Sequence, residues 1–240
     1  MDFKFSYINR SKLSFGLYRK IMKKNSFSIN VVLLSVLLLA PSVWATENRP
    51  DTLVEKTAQE VLEIIKQDKD IQSGDKVKIL NLVKSKILPH FNFTRMTRLA
   101  MGKNWSKASP QQREELEKEF RTLLVRTYYK ALAVYSDHII KVSPVKKLAE
   151  RVNVKVKTKV IQSHGQPISI DYSMEKNNNL WKVYDITVAG VSLVINYRGS
   201  FNSKIRSGGV EGLIKALNRK NRMLMLKENN AALAIQFKKT

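Results

Sequence analysis

The stretch RVNVKVKTKV, residues 151–160, decides the fold. Val152, Val154, Val156 and Val160 alternate with Arg151, Lys155, Lys157 and Lys159. A period of two predicts a strand with one apolar and one cationic face. The turn at His164-Gly165-Gln166 leads to a second strand with Ile168, Ile170, Tyr172 and Met174 on one face. Asn177-Asn178-Asn179 turns the chain again, into a strand over Leu180–Val188. A weaker strand over Ile139–Lys147 precedes them. Four sequential strands joined by short turns predict an antiparallel meander with one face to bury, and the flanking helices are the material to cover it. The fold class expected is α+β.

Upstream of the strands the period is 3.6. Asp51 is placed as the cap of a helix reaching about Gln67, with Val54, Ala58, Val61, Leu62 and Ile65 on its apolar face. Asp75 caps a second helix, with Leu80, Val83 and Ile87 inward, that ends near Pro89. A short third helix holds Met96, Leu99 and Ala100 and stops at Gly102. Ser109-Pro110-Gln111-Gln112 is a capping box with proline at the first helical position. It opens a long helix to about Tyr135, lined on one side by Leu116, Phe120, Leu123, Leu124, Tyr128, Ala131, Leu132 and Tyr135. Downstream, a helix is expected from about Leu193 to Arg206, a break at Gly208-Gly209, and a last helix carrying Leu213, Ile214 and Leu217. The run 221–240 is a tail outside this pattern.

The first 45 residues differ from the rest. Seven basic residues precede the apolar run Val31–Ala40, and Val43-Trp44-Ala45 follows. A basic stretch, a short apolar stretch and a small residue at the cut are the marks of a cleavable export signal. The apolar run is shorter than the roughly 20 residues that span a bilayer. An uncleaved anchor is the alternative, and Met22 is a second candidate start. Cleavage after Ala45 leaves 195 residues with 36 basic and 19 acidic side chains, a formal charge of +17. Such a charge calls for a polyanion, an anionic membrane or an acidic partner. Export moves a lipid surface ahead of nucleic acid. With no cysteine in the chain, disulfides, thiolate metal sites and cysteine nucleophiles are excluded.

Catalytic patterns are sparse. His90, His138 and His164 lack metal-ligand spacing, no GxSxG elbow or phosphate loop occurs, and Glu114, Glu115, Glu117 and Glu119 suit the first turns of a helix. Two polar pairs remain for an exported hydrolase: Asp185 with Tyr184, and Asp171 with Tyr172. Asp185 is read instead as holding a backbone amide or Arg198. A basic interaction protein without a cavity is the other competing reading.

A longer series of residues resembles a known family. Pro89-His90-Phe91-Asn92-Phe93, Leu99-Ala100-Met101-Gly102 and Trp105 precede the capping box. Trp181-Lys182-Val183-Tyr184-Asp185, Gly190-Val191-Ser192-Leu193-Val194 and Asn196-Tyr197-Arg198 follow the strands, and Gly208-Gly209 closes the pattern. This order is similar to that of the MlaC or toluene-tolerance family of periplasmic phospholipid-binding proteins, over about Asp51 to Asn221. His90 and Asn92 stand where members often carry Tyr and Asp. The resemblance implies a curved NTF2-like or cystatin-like sheet packed against several helices, with acyl chains in an apolar pocket between them. It implies a monomeric shuttle, not an enzyme, with phospholipid as ligand and neither cofactor nor metal. Its partners would be an inner-membrane ABC lipid transporter complex and an outer-membrane lipoprotein complex, with transient membrane-surface contact and no nucleic acid. The pocket is expected to be lined by Phe120, Leu124 and Tyr128 of the long helix and by Val154, Val156, Ile170, Tyr172, Tyr184 and Ile186 of the strands. Val194 and Tyr197 complete the expected lipid-binding set.

Overall fold

The computed structural model describes residues 49–134, 138–148, 150–162 and 165–239. The export segment expected over residues 1–45 lies outside the described residues, as do Tyr135 and His164.

The sheet is an antiparallel meander, β1 (Ile139–Val142), β2 (Asn153–Ile161), β3 (Ile168–Asn177), β4 (Leu180–Val188) and β5 (Val191–Ser192), in that order. It has five strands rather than the four expected. The fifth is two residues long, pairing Val191 with Val188 and Ser192 with Thr187. The first strand stops at Val142, short of Lys147; Pro144 lacks the amide hydrogen that would extend the ladder. Along β2, Val154, Val156, Thr158 and Val160 are buried and Lys155, Lys157 and Lys159 exposed, as the alternation predicts. Val152 precedes the strand and is exposed, off the apolar face on which it was expected.

The helices are α1 (Pro50–Gln67), α2 (Lys69–Gln72), α3 (Lys76–Leu82), α4 (Phe93–Met101), α5 (Pro110–Val134) and α6 (Leu193–Lys239). One turn of π-helix, Val83–Ile87, continues α3 and runs into a 3-10 turn at Leu88–His90. Asp75 caps α3 as expected, accepting from the Lys78 amide. The capping box of α5 is reciprocal: the Gln112 amide donates to Ser109 Oγ at 3.2 Å, and the Ser109 amide to Gln112 Oε1 at 3.1 Å. Asp51 does not cap α1. Arg49 is the cap residue, because Pro50 takes the first helical position. Asp51 accepts instead from the Arg49 guanidinium at 2.7 Å and from the Val145 amide at 2.8 Å, which ties α1 to the loop after β1. Burial pushes its carboxyl up, but Arg49 and the Val145 and Thr52 amides outweigh this and hold it below the usual range.

The residues of the family-like series have local work to do. Asn92 accepts from the Arg95 amide and so caps α4, while its own amide donates to Glu175 Oε1 at 2.6 Å. An aspartate could not make that second bond. Arg198 donates twice to the Leu99 carbonyl, at 2.8 and 3.1 Å, satisfying an oxygen that the end of α4 leaves orphaned. Gly102, with φ of 56°, lies against this guanidinium; a Cβ there would meet Arg198 Nε at 3.4 Å. Asp185 accepts from the Val194 amide at 3.1 Å and from Ser192 Oγ at 2.6 Å, and so joins β4 to the start of α6. It holds a backbone amide, one of the two roles expected, and Arg198 has another partner.

α6 is interrupted at Gly208 and Gly209, whose backbone angles are non-helical, where the break was expected. Beyond it the helix runs on to Lys239, so most of the tail over 221–240 is helical. One core cluster joins α4, α5 and both arms of α6; a second joins α1, α2, α3 and α5; a third lies under the sheet.

Candidate functional site

A cavity of about 310 Å³ lies between the sheet and the helices. Its helical wall comes largely from α1: Leu53, Val54, Thr57, Ala58, Val61, Leu62 and Ile65. Val83 and Ile87 of the π turn also line it. The extra residue per turn of a π-helix re-aims side chains, and such turns often mark functional sites. Leu124, Val125, Tyr128 and Tyr129 enter from α5. The opposite wall is the sheet, with Ile140 of β1, Val160 of β2, Ile170, Tyr172 and Met174 of β3, and Val183 and Ile186 of β4. No Lys, Arg, Asp or Glu lines it. The polar groups at the wall are Thr57, His90 and the hydroxyls of three tyrosines. Burial pushes the His90 imidazole below its ordinary value, Lys182 pushes the same way, and Glu60 opposes them. The group at this wall is therefore biased toward the neutral form.

Of the expected pocket residues, Leu124, Tyr128, Ile170, Tyr172 and Ile186 line this cavity. The other six are elsewhere. Phe120 is fully buried in the helical core, edge-on to Tyr197 and Phe201 with ring centroids 5.1 Å apart in each case. Val194 belongs to the same core. Tyr197 is half-buried there; burial, and then the neighbouring Tyr128, push its phenol up to about 12. Val154 and Val156 are packed beneath the sheet with Val54, Met174, Trp181 and Val183.

Tyr184 is displaced for a topological reason. Ser173 pairs with Asp185 but Met174 pairs with Val183, so Tyr184 is the extra residue of a β-bulge. Counting back by two from Ile186 predicts Tyr184 in the cavity, whereas the bulge puts Val183 there. Tyr184 lies instead under the Arg95 guanidinium, 3.7 Å from its centroid, and Arg95 also pairs with Glu175.

α1 contributes more of the wall than any other helix, and the expected pocket set contains none of its residues. The five residues assigned to the apolar face of α1 all line the cavity. His90, one of the three histidines without metal-ligand spacing, is a wall residue. The signal that could have found the α1 wall is the width of its stripe, which takes in Leu53 and Thr57 as well.

Neither hydrolase pair forms a dyad in the cavity. Tyr172 reaches it while Asp171, its neighbour on a strand, does not, and both oxygens of Asp185 are engaged at the start of α6. Among the described residues no cluster of three His, Asp or Glu side chains could hold a metal, and no helix is long and apolar enough to cross a membrane.

Residues 55–219 match the family MlaC, described as MlaC protein. The chain is 26% identical over 81% of its length to the intermembrane phospholipid transport system binding protein MlaC of Haemophilus influenzae, of which the match covers 92%. It is 24% identical over 74% of its length to toluene tolerance protein ttg2D of Pseudomonas putida, covering 82% of that protein. Among solved structures, the phospholipid-binding protein from Ralstonia solanacearum, in complex with a phospholipid, superposes with a TM-score of 0.69 at 36% identity. That match covers 74% of this chain and 99% of the other.

Proposed function

The chain belongs to the MlaC family, and from that premise we propose that it carries phospholipid across the periplasm, with acyl chains in the cavity between α1, α5 and the sheet. The observation that carries the reading is the uncharged wall of that cavity, in a fold shared with a protein bound to phospholipid. Export after cleavage near Ala45 delivers the chain to that compartment as a monomer. The outer-membrane lipoprotein complex and the inner-membrane ABC transporter are the stations it serves. The lysines of β2 steer it to acidic surfaces on those partners, an effect that acts mainly on association rate.

The physics of transport sets what the cavity must do. Exposing one CH₂ to water costs roughly 0.8 kcal/mol, so two acyl chains of about 30 carbons in all cost on the order of 25 kcal/mol. A dry apolar wall removes most of that cost, and exchange with a bilayer becomes nearly thermoneutral. Direction then comes from the partners. Wall residues already matched to the cavity are Leu124, Tyr128, Ile170, Tyr172 and Ile186, and α1 adds the larger share.

The test is lipid extraction from protein purified out of periplasm without detergent. Phospholipid near one per chain is expected. Protein that is folded and lipid-free, and stays so after incubation with phospholipid vesicles, overturns the reading.

A further inference from the structure

The geometry points to the C-terminal arm of α6 as a bilayer-contacting helix that seats the carrier on an anionic lipid surface. The arm runs past residue 219, where the family match ends, to Lys239. Its inward face is anchored. Leu217, Asn221, Leu224 and Glu228 follow at spacings of four, three and four. Leu217 is buried, Asn221 donates to the Glu119 carbonyl at 2.9 Å, and Leu224 packs on the helical core. Glu228 is buried and paired with Lys76 at 2.7 Å and with Arg126. Arg126 lies one residue beyond Val125 of the cavity wall, so the arm is fixed to the helix that lines the cavity.

The outward face carries an apolar pair, Met223 and Leu226, between two polar residues, and is cationic at its flanks. Arg219, Met223, Leu226 and Asn230 occupy it, again at four, three and four, and all are exposed. Met223 and Leu226 are each more than half exposed, and Met225 is exposed beside them. Lys220 and Lys227 lie at one flank and Arg222 at the other. The one acid of residues 215–239 is Glu228, which is neutralised on the inner side.

Exposed Met223, Leu226 and Met225 among cations fit the boundary between headgroups and acyl chains, where an amphipathic helix lies with its apolar side inserted. The cations find anionic headgroups there, and each contributes separately. A second copy of the chain is a poor occupant, because two such cationic faces repel. The inference extends the carrier reading to the place where the carrier meets a bilayer.

The experiment is co-sedimentation of the processed protein with vesicles, either equal parts phosphatidylglycerol and phosphatidylcholine or phosphatidylcholine alone, at low and high salt. Three variants are compared: M223S/L226S, R219E/K220E/K227E, and K103E/K107E/K176E, which makes the same charge change on other exposed sites. Circular dichroism checks that each is folded, and bound phospholipid per chain is measured in the same samples. The wild type should sediment with the anionic vesicles and be released by salt. Both arm variants should lose at least tenfold in partitioning, with bound phospholipid unchanged, while the third variant loses less than threefold. Equal partitioning by wild type and arm variants overturns the proposal. So does an equal loss in the third variant, which makes the effect one of net charge, or concentration-dependent self-association that M223S/L226S abolishes. Loss of bound phospholipid in folded arm variants overturns it too, by making the arm part of the cavity. A wild type that binds anionic vesicles through the arm but carries no phospholipid breaks the carrier reading and leaves this one standing.

Discussion

Two apolar regions meet on α5, and they end differently. On one side Phe120 closes against Tyr197 and Phe201, edge to face, and the space is filled. On the other, Leu124, Val125, Tyr128 and Tyr129 look across at α1 and the sheet over a space that stays open. Both sides are apolar in sequence. The difference is in shape: interlocking rings interdigitate on one side, while mainly aliphatic side chains from facing walls stop short on the other. Apolar surplus therefore identifies a cavity only once packing is known, and the predictions below set filled positions against open ones.

The largest effect is expected in the filled region. Phe120→Ala should cost about 3–5 kcal/mol, the usual loss when a fully buried ring is removed. Thermal or urea unfolding reads it, and bound phospholipid in the protein that remains folded should be unchanged. A loss below about 1 kcal/mol would mean that this core is not close-packed.

A matched pair of insertions sharpens the contrast. Val154→Trp overfills the packed layer under the sheet and should destabilise by about 1–3 kcal/mol. Ala58→Trp projects from α1 into the cavity and should cost about 1 kcal/mol or less, because the space is there to take it. If urea midpoints fall equally in the two, the distinction between filled and open regions fails.

The smallest effect is a pH dependence. His90 has its pKa lowered in the folded chain, first by burial and then by Lys182. The unfolded chain therefore binds the proton more readily. The stability tied to this group is complete above about pH 6.5, its ordinary value, and is lost as pH falls from there through the lowered folded value. His90→Gln should flatten stability against pH over that window, measured by urea unfolding at several pH values. An unchanged slope would place the titration elsewhere.

The meander and most helix limits were legible because they depend on local periods and caps: the β2 alternation, the Ser109 box, the Asp75 cap and the Gly208-Gly209 break. What was not legible depends on events that a period does not contain. One bulge at Tyr184 moves Val183 into the cavity and Tyr184 out of it. One proline at position 50 moves the cap of α1 to Arg49 and frees Asp51 to bind Val145. The wall of α1 carried the right residues and the wrong meaning, since an apolar stripe reads the same whether its partner touches it or leaves a gap. The π turn at Val83–Ile87 has no signature in the chain that separates it from ordinary helix. Arg198 reads as an alternative partner of Asp185, yet it closes the end of α4 through a contact 99 residues distant in sequence.

The central claim is that the open region is where phospholipid sits. Native mass spectrometry of detergent-free wild type and Ala58→Trp, each confirmed folded, tests it most directly. The account predicts a phospholipid adduct on most wild-type chains and at least a fivefold lower bound fraction in the variant. Equal occupancy in the two proteins would contradict it.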